Sequence, residues 1–257
     1  MCAIALVSAS SFDSSRFLSG LPLVVGTVAV ALLVTFLCGL KLGRHSVIDV
    51  AWGFMFALVA ITSYLWSAGH GNTGLRTTVM VLTVVWGARL GVYIGWRQRG
   101  HGEDARYDKM LSKAKGSRNV YAIRKVYLLQ GIILLLISLP VQVASYESGG
   151  INALTYLGVA LWAVGVFFEA VGDAQLFFFK KDPANKGKIM DQGLWRYTRH
   201  PNYFGDTTLW WGLFLVSASH WPGILTILCP LIMNFFLTRG SGKSLLEKHM
   251  DDRPGFK

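Results

Sequence analysis

The sequence predicts an all-α, polytopic membrane helix bundle of about seven transmembrane helices, with the N-terminus outside and the C-terminus cytosolic. Three observations carry that prediction. Only 15% of the 257 residues are charged and 53% are hydrophobic, whereas a soluble domain carries about 25% charged residues. Apolar runs of roughly 20 residues, the length of a bilayer crossing, fill most of the chain. The basic residues are confined to short segments between those runs, the pattern of cytosolic loops.

The runs fall at residues 17–40, 46–66, 76–96, 125–145, 152–179, 203–219 and 222–237 of one integral-membrane domain spanning 1–257. In lipid each must be helical, because a helix satisfies its own backbone groups within one segment. Breakers separate them: Gly69–Gly74, Gly149-Gly150, Asp182-Pro183, His200-Pro201 and Trp221-Pro222. Lys41 and Arg44 follow the first run, and nine basic residues lie from Arg97 to Lys125. Six more lie from Lys180 to Arg199 and five from Arg239 to Lys257, so 22 of the 25 fall on one side. That asymmetry makes 97–124 and 180–202 cytosolic loops, with any pocket at that end facing the cytosol. The fifth run would extend about 42 Å against a hydrocarbon core of about 30 Å, so it tilts or carries its Lys180-Lys181 end into the cytosol. Met1–Ser15 lacks a basic n-region, and no cleaved signal peptide is expected.

The net charge of +11 does not make a nucleic-acid partner, because the cations sit beside membrane spans. Cys2, Cys38 and Cys229 are scattered, and the six histidines offer no HxxxH or HExxH spacing, so no disulfide framework or metal site is expected. Gly240-Ser-Gly-Lys-Ser244 ends like a phosphate-binding loop, but position 237 is leucine where the pattern needs glycine.

Ionisable residues inside spans are expensive and are functional candidates. Here they are Asp49, Arg89, Glu169 and Asp173, with Asp206 near a span start. Helical spacing puts Glu169, Asp173 and Lys180 on one face of span five, and Trp86, Arg89, Tyr93 and Trp96 on one face of span three. All lie in the cytosolic half, which suits a pocket open to the cytosol better than an ion path through both leaflets. Spacing leaves open whether Arg89 pairs with Glu169 or with Asp49. The polar cluster Gly100–Tyr107 reads equally as a cofactor-facing segment or an ordinary loop.

The stretch Gly193-Leu-Trp-Arg-Tyr-Thr-Arg-His-Pro-Asn-Tyr-Phe-Gly-Asp206 resembles the C-terminal signature of the membrane steroid 5-alpha-reductase superfamily, particularly its bacterial members of undefined substrate. The resemblance extends to Glu169–Gln175, Lys180 and Leu245–Phe256, and more weakly to Ser46–Trp52. It implies a seven-helix bundle that uses NADPH to reduce a carbon–carbon double bond conjugated to a carbonyl in a lipophilic substrate. It further implies cofactor-binding roles for Glu169, Asp173, Lys180, Asn202, Asp206 and Arg239; Arg196, Arg199 and His200 are further candidate cations for the phosphates, and Tyr203 a further candidate in the same stretch. Asp49 matches a catalytic carboxylate, with Arg89 and Tyr93 as assisting residues; Trp86 stands near the position of the family's catalytic tyrosine. Isoprenylcysteine carboxyl methyltransferases share the Arg-His-Pro-x-Tyr-x-Gly signature, which gives an alternative: an S-adenosylmethionine-dependent membrane methyltransferase. A non-catalytic lipid-binding protein is the third reading; it would not need a polar pocket.

Overall fold

The computed structural model describes residues 12–240. Among them the long elements are all helical, and strand geometry is limited to an isolated bridge between Phe12 and Glu147. Helices α1 (Ser14–Leu42), α2 (Val47–Trp66) and α3 (Thr73–Arg97) follow the first three predicted runs. Short α4 (Ala105–Leu111) and α5 (Arg118–Ala122) come next, and α5 passes through a π-helical turn, Ile123–Tyr127, into α6 (Leu128–Ile137). Beyond α7 (Leu139–Ala144), α8 (Ala153–Lys181) and α9 (Pro201–Ser217) precede α10 (Leu228–Phe235).

Five helices are long and apolar enough to cross a membrane: α1, α2, α3, the composite Arg118–Ile137, and α8. The chain is thus an integral, polytopic helical membrane protein. The predicted sixth and seventh runs form shorter helices. Pro201–Ser217 has 17 residues, about 26 Å against a core of about 30 Å, and Gly223–Arg239 is a shorter apolar helix that is 3-10 at its start and π at its end. The predicted fourth run also divides. The helix ends at Ser138, and Pro140 occupies the first turn of α7, where its missing N–H costs no helical bond.

Local sequence sets the helix ends. Gly43, at φ 66°, closes α1 in the left-handed conformation that glycine adopts freely, and the Arg44 N–H reaches back to the Gly39 carbonyl. Asn72 and Asn152 cap α3 and α8, the latter in a reciprocal box with Thr155.

Two helix pairs pack closely enough to require glycine. Gly53 on α2 and Gly87 on α3 abut, each against the other's carbonyl. On α8 the glycines recur every seven residues, at 158, 165 and 172, and they face Gly212, Gly205 and Pro201. A Cβ on Gly165 would lie 2.6 Å from the Gly205 carbonyl oxygen, and one on Gly205 2.5 Å from that of Gly165. Without a hydrophobic drive between helices in lipid, such close backbone approach supplies the packing. The pairs meet around Phe56, Trp86 and Trp210, whose rings lie 4.9–5.4 Å apart in tilted and edge-on contacts.

Candidate functional site

The α8/α9 seam determines what its neighbours face. Because Gly165 and Gly205 bring the backbones together, Glu169 lies directly over Gly205 and Asp173 lies beside Asn202. Arg89 reaches across from α3 and bridges both acids. Its Nη1 is 2.6 Å from Glu169 Oε1, its Nη2 is 2.6 Å from Asp173 Oδ2, and Nη2 also donates to the Glu169 carbonyl at 3.1 Å. Trp86 Nε1 donates to the other Glu169 oxygen at 3.0 Å, and Asn202 Nδ2 donates to Asp173 Oδ1 at 3.3 Å. Tyr93 donates to the Asp173 carbonyl at 3.3 Å.

Spacing had left the partner of Arg89 open; it pairs with Glu169 and Asp173, not Asp49. Both carboxylates are nearly buried, with side-chain exposures of 5% and 8%. Asp206 lies near enough for its charge to act on Glu169, and its Oδ1 has no hydrogen-bond partner among the described residues. One guanidinium therefore faces three carboxyl groups. A group with N–H donors or positive charge suits the remainder.

Asp49, on the first turn of α2, belongs to a second cluster. Tyr107 Oη donates to Asp49 Oδ1 at 2.5 Å, and Arg106 Nη2 lies 3.2 Å from Oδ2. Gln130 Nε2 in turn donates to the Tyr107 oxygen at 3.2 Å. Burial, and then the Asp49 charge, push the Tyr107 phenol well above its usual value, so it remains a proton donor at neutral pH. Partial burial raises the Asp104 carboxyl, but the Arg106 hydrogen bonds outweigh it and hold the group below its usual range.

The residue 98–117 segment reaches this position because it is fastened to the helix ends. Glu103 accepts from the free backbone N–H groups of His45 and Ser46 at 2.6 and 2.8 Å, capping the start of α2. Arg44 donates to the Gln98 and His101 carbonyls at 3.1 and 2.7 Å.

Arg97 connects the two clusters. It forms no ion pair among the described residues, yet its charge acts on Asp49, Tyr93, Asp104, Asp173 and Tyr203. The polar face of α3 thus runs from buried Trp86 through half-buried Arg89 and Tyr93 to exposed Arg97. Trp96, expected on the face of Arg89 and Tyr93, is half exposed and packs, like them, against α8, on Phe177 at 4.4 Å.

The segment before α9 docks on α8: Leu194 N–H donates to Gln175 Oε1 at 3.0 Å, and Trp195 Nε1 to the Gly172 carbonyl at 2.9 Å. Gly193, at φ 59°, lies against Gln175 where a side chain would collide. His200 stacks on Tyr203 at 5.3 Å. Lys180, Arg196, Arg199 and Arg239 are exposed. The sequence reading missed Arg97 and Gln130, and it left Arg106 and Tyr107 inside an undecided loop. The signal for Tyr107 was its place in a polar cluster after span three.

A family described as "Protein of unknown function (DUF1295)" matches residues 35–257. Among curated proteins, a probable O-methyltransferase, ustE, of Ustilaginoidea virens is 38% identical over 89 residues, 34% of this chain and 31% of that protein. The 3-oxo-5-alpha-steroid 4-dehydrogenase 1 of Mus musculus is 32% identical over 111 residues, 43% of each chain. The phosphatidylethanolamine N-methyltransferase of Schizosaccharomyces pombe is 29% identical over 96 residues, 34% of this chain and 10% of that one. The chain spans less than half the length of each of these relatives. No solved structure gives a significant match. Both resemblances read in the sequence, to steroid 5-alpha-reductases and more weakly to membrane methyltransferases, are thus met among the relatives.

Proposed function

Because the chain belongs to the family described as "Protein of unknown function (DUF1295)", we propose that it is a membrane-embedded, NADPH-dependent reductase of a double bond conjugated to a carbonyl in a lipophilic substrate. The observation that carries this reading is the Tyr107–Asp49 hydrogen bond at 2.5 Å. Conjugate reduction needs a proton donor as well as a hydride source, whereas methyl transfer from a sulfonium needs none.

The residues fit the cofactor. The unpartnered Asp206 Oδ1 and the Asn202 amide offer an acceptor and a donor to a carboxamide. Arg97, Lys180, Arg196, Arg199, His200 and Arg239 supply cations around the same end of the bundle for phosphates. When bound, NADPH supplies the hydride that adds to the β-carbon of the enone. Arg89 fixes Glu169 and Asp173, and the surplus carboxyl group would favour a cationic or N–H-bearing part of the cofactor held against it. Tyr107, whose single hydrogen rests on Asp49, would turn it toward the carbonyl oxygen as negative charge grows there, with Gln130 still donating to the phenol oxygen. Arg89 and Tyr93, both held on Asp173, would assist in positioning the reacting groups. The pocket opens toward the cytosol in this reading, with the N-terminus outside.

A second reading has a specific observation in its favour. Three carboxyl groups around one arginine also suit a sulfonium cation, and two of the relatives are named as methyltransferases. Titrating the purified full-length protein with NADPH and, separately, S-adenosylmethionine while following thermal unfolding distinguishes the readings. A shift with NADPH alone is expected. One with S-adenosylmethionine alone makes the protein a methyltransferase.

A further inference from the structure

His45 is buried and belongs to neither cluster, yet its contacts bracket the segment that carries Tyr107. It precedes Ser46, the N-cap residue of α2, and its backbone N–H donates to Glu103, just before α4, at 2.6 Å. Its ring reaches the far side of α4. Nε2 lies 3.2 Å from Asn119 Oδ1 on α5, and Nδ1 lies 3.1 Å from Tyr127 Oη at the end of the π-helical turn. With the proton on Nε2, the ring donates to the amide oxygen and accepts from the phenol, so both nitrogens are used. Phe36 of α1 confines the pair, stacking on His45 at 6.0 Å and standing edge-on to Tyr127 at 5.3 Å. A Cβ on Gly39 would come within 2.8 Å of the Tyr127 hydroxyl oxygen, so α1 leaves that phenol the space it needs to reach His45.

Every group that touches the Tyr107 hydroxyl refers back to the same corner. Asp49, which accepts from it, lies in the first turn of α2, directly after His45 and Ser46. Gln130, which donates to it, lies on α6, into which Tyr127 leads. Helix α4 cannot place the hydroxyl by itself. It has seven residues, too few for a helix to stand alone, and burial of Tyr107 and Leu111 is a non-directional attraction that does not set a register. Its fastening to α5, the Arg118–Asp108 pair, is exposed on both sides and worth at most about 1 kcal/mol. A hydrogen bond needs its heavy atoms within a few tenths of an ångström. The buried contacts of His45 can supply that precision.

From these contacts we infer that His45 is a positioning residue, which acts through Glu103, Asn119 and Tyr127 to hold the Tyr107 hydroxyl on Asp49. The inference deepens the reductase reading by naming what aims its proton donor. It rests on that reading only for the donor role, since the hydrogen bond is the same in either reading.

The test follows Tyr107 by fluorine NMR in full-length protein in detergent, labelled with 3-fluorotyrosine, with no nucleotide or substrate present. Tyr107→Phe identifies its line, and Asp49→Ala gives the displacement that accompanies loss of the hydrogen bond. Asn119 is exposed, so Asn119→Ala removes a partner of the ring with little cost to folding. It should move the Tyr107 line at least about half as far as Asp49→Ala does. Glu103→Gln, left with a single acceptor for two N–H groups, should do the same. His45→Ala should move the line as far as Asp49→Ala, and His45→Gln, whose amide can still donate to Asn119, should return it at least about halfway. Asp108→Asn breaks only the exposed pair and should leave the line in place. If folded Asn119→Ala and Glu103→Gln proteins both keep the wild-type line, His45 does not act through them and the proposal is overturned. A line that Asp108→Asn moves as far as Asn119→Ala, or that His45→Gln does not restore, overturns it equally, because any loosening of the segment would then suffice. Since nucleotide and substrate are left out, failure here leaves the NADPH titration to stand or fall separately.

Discussion

Replacing Arg89 with methionine tests the idea that charge rather than packing holds α3 to α8. The guanidinium makes two ion pairs of 2.6 Å to side chains that are 5% and 8% exposed, and one hydrogen bond to the Glu169 carbonyl. At an effective dielectric of about 20, each pair is worth about 4 kcal/mol at a charge separation of about 4 Å, and most of that offsets the cost of removing the ions from water. What the substitution exposes is the uncompensated remainder: two buried carboxylates, with Asp206 nearby, and no cation among them. Breaking such a pair costs about 3–5 kcal/mol. Arg89→Met should therefore lose about that much stability in an SDS unfolding titration followed by tryptophan fluorescence. Adding Glu169→Gln and Asp173→Asn to it should recover most of the loss, because the buried charges go with the arginine. A loss below about 1 kcal/mol, the level of an exposed pair, or a triple variant no better than the single one, would refute the electrostatic account.

Further expectations concern the donor pair, the close helix seam and the outer face. Tyr107→Phe should leave the NADPH-induced thermal shift unchanged while lowering turnover by more than tenfold, because its hydroxyl contacts Asp49 and not the carboxylate cluster; unchanged turnover removes Tyr107 from the mechanism. Gly165→Leu places a side chain 2.5 Å from the Leu209 nitrogen, where backbone cannot yield. It should destabilise by about 1–3 kcal/mol or more, while Gly26→Ala, with nothing within 4 Å of its added carbon, should not; equal melting of the two variants would contradict the seam. The Asp13 carboxyl is lowered from 3.8 to about 2, first by the Arg16 backbone N–H and then by His70. A depressed acid contributes stability that is present above its unfolded value and disappears as pH falls toward the folded one. Amide protection factors at the start of α1, corrected for the intrinsic exchange rate at each pH, should thus fall between pH 4 and 2, and Asp13→Asn should abolish that dependence.

Hydropathy made most of the fold legible, because a bilayer allows few ways to satisfy a backbone. The first three runs match α1, α2 and α3 to within a few residues. Pro140 was invisible as a breaker because it sits inside an apolar run, where composition does not change even though the helix restarts. The last two runs fold at about the length read but shifted by one or two residues, and α9, packed along α8 through its glycines, is short of the bilayer thickness. Within the candidate site, the period of 3.6 placed Arg89 with Tyr93 and Glu169 with Asp173. It could not say which faces meet, and that was settled by glycines whose role is to be absent. Tyr107 arrives at Asp49 along a non-periodic segment steered by Glu103 and Arg44, so no spacing rule connects them.

The two glycine seams also bear on the order in which the protein is made. Gly53 with Gly87, and Gly165 with Gly205, join helices that emerge one after another from the ribosome, so each hairpin can close soon after its second helix is inserted. The polar contacts of Arg89 and Trp86 with Glu169 and Asp173 span 80 to 84 residues of chain. They must wait until both hairpins are in the bilayer. Until α8 arrives, Arg89 has no carboxylate and is an unpaired cation in lipid, and after α8 arrives it is the reason the halves find each other. The site thus forms last, as the act that completes the bundle, and a nascent chain halted before residue 169 would present that arginine to whatever quality-control machinery surveys the membrane.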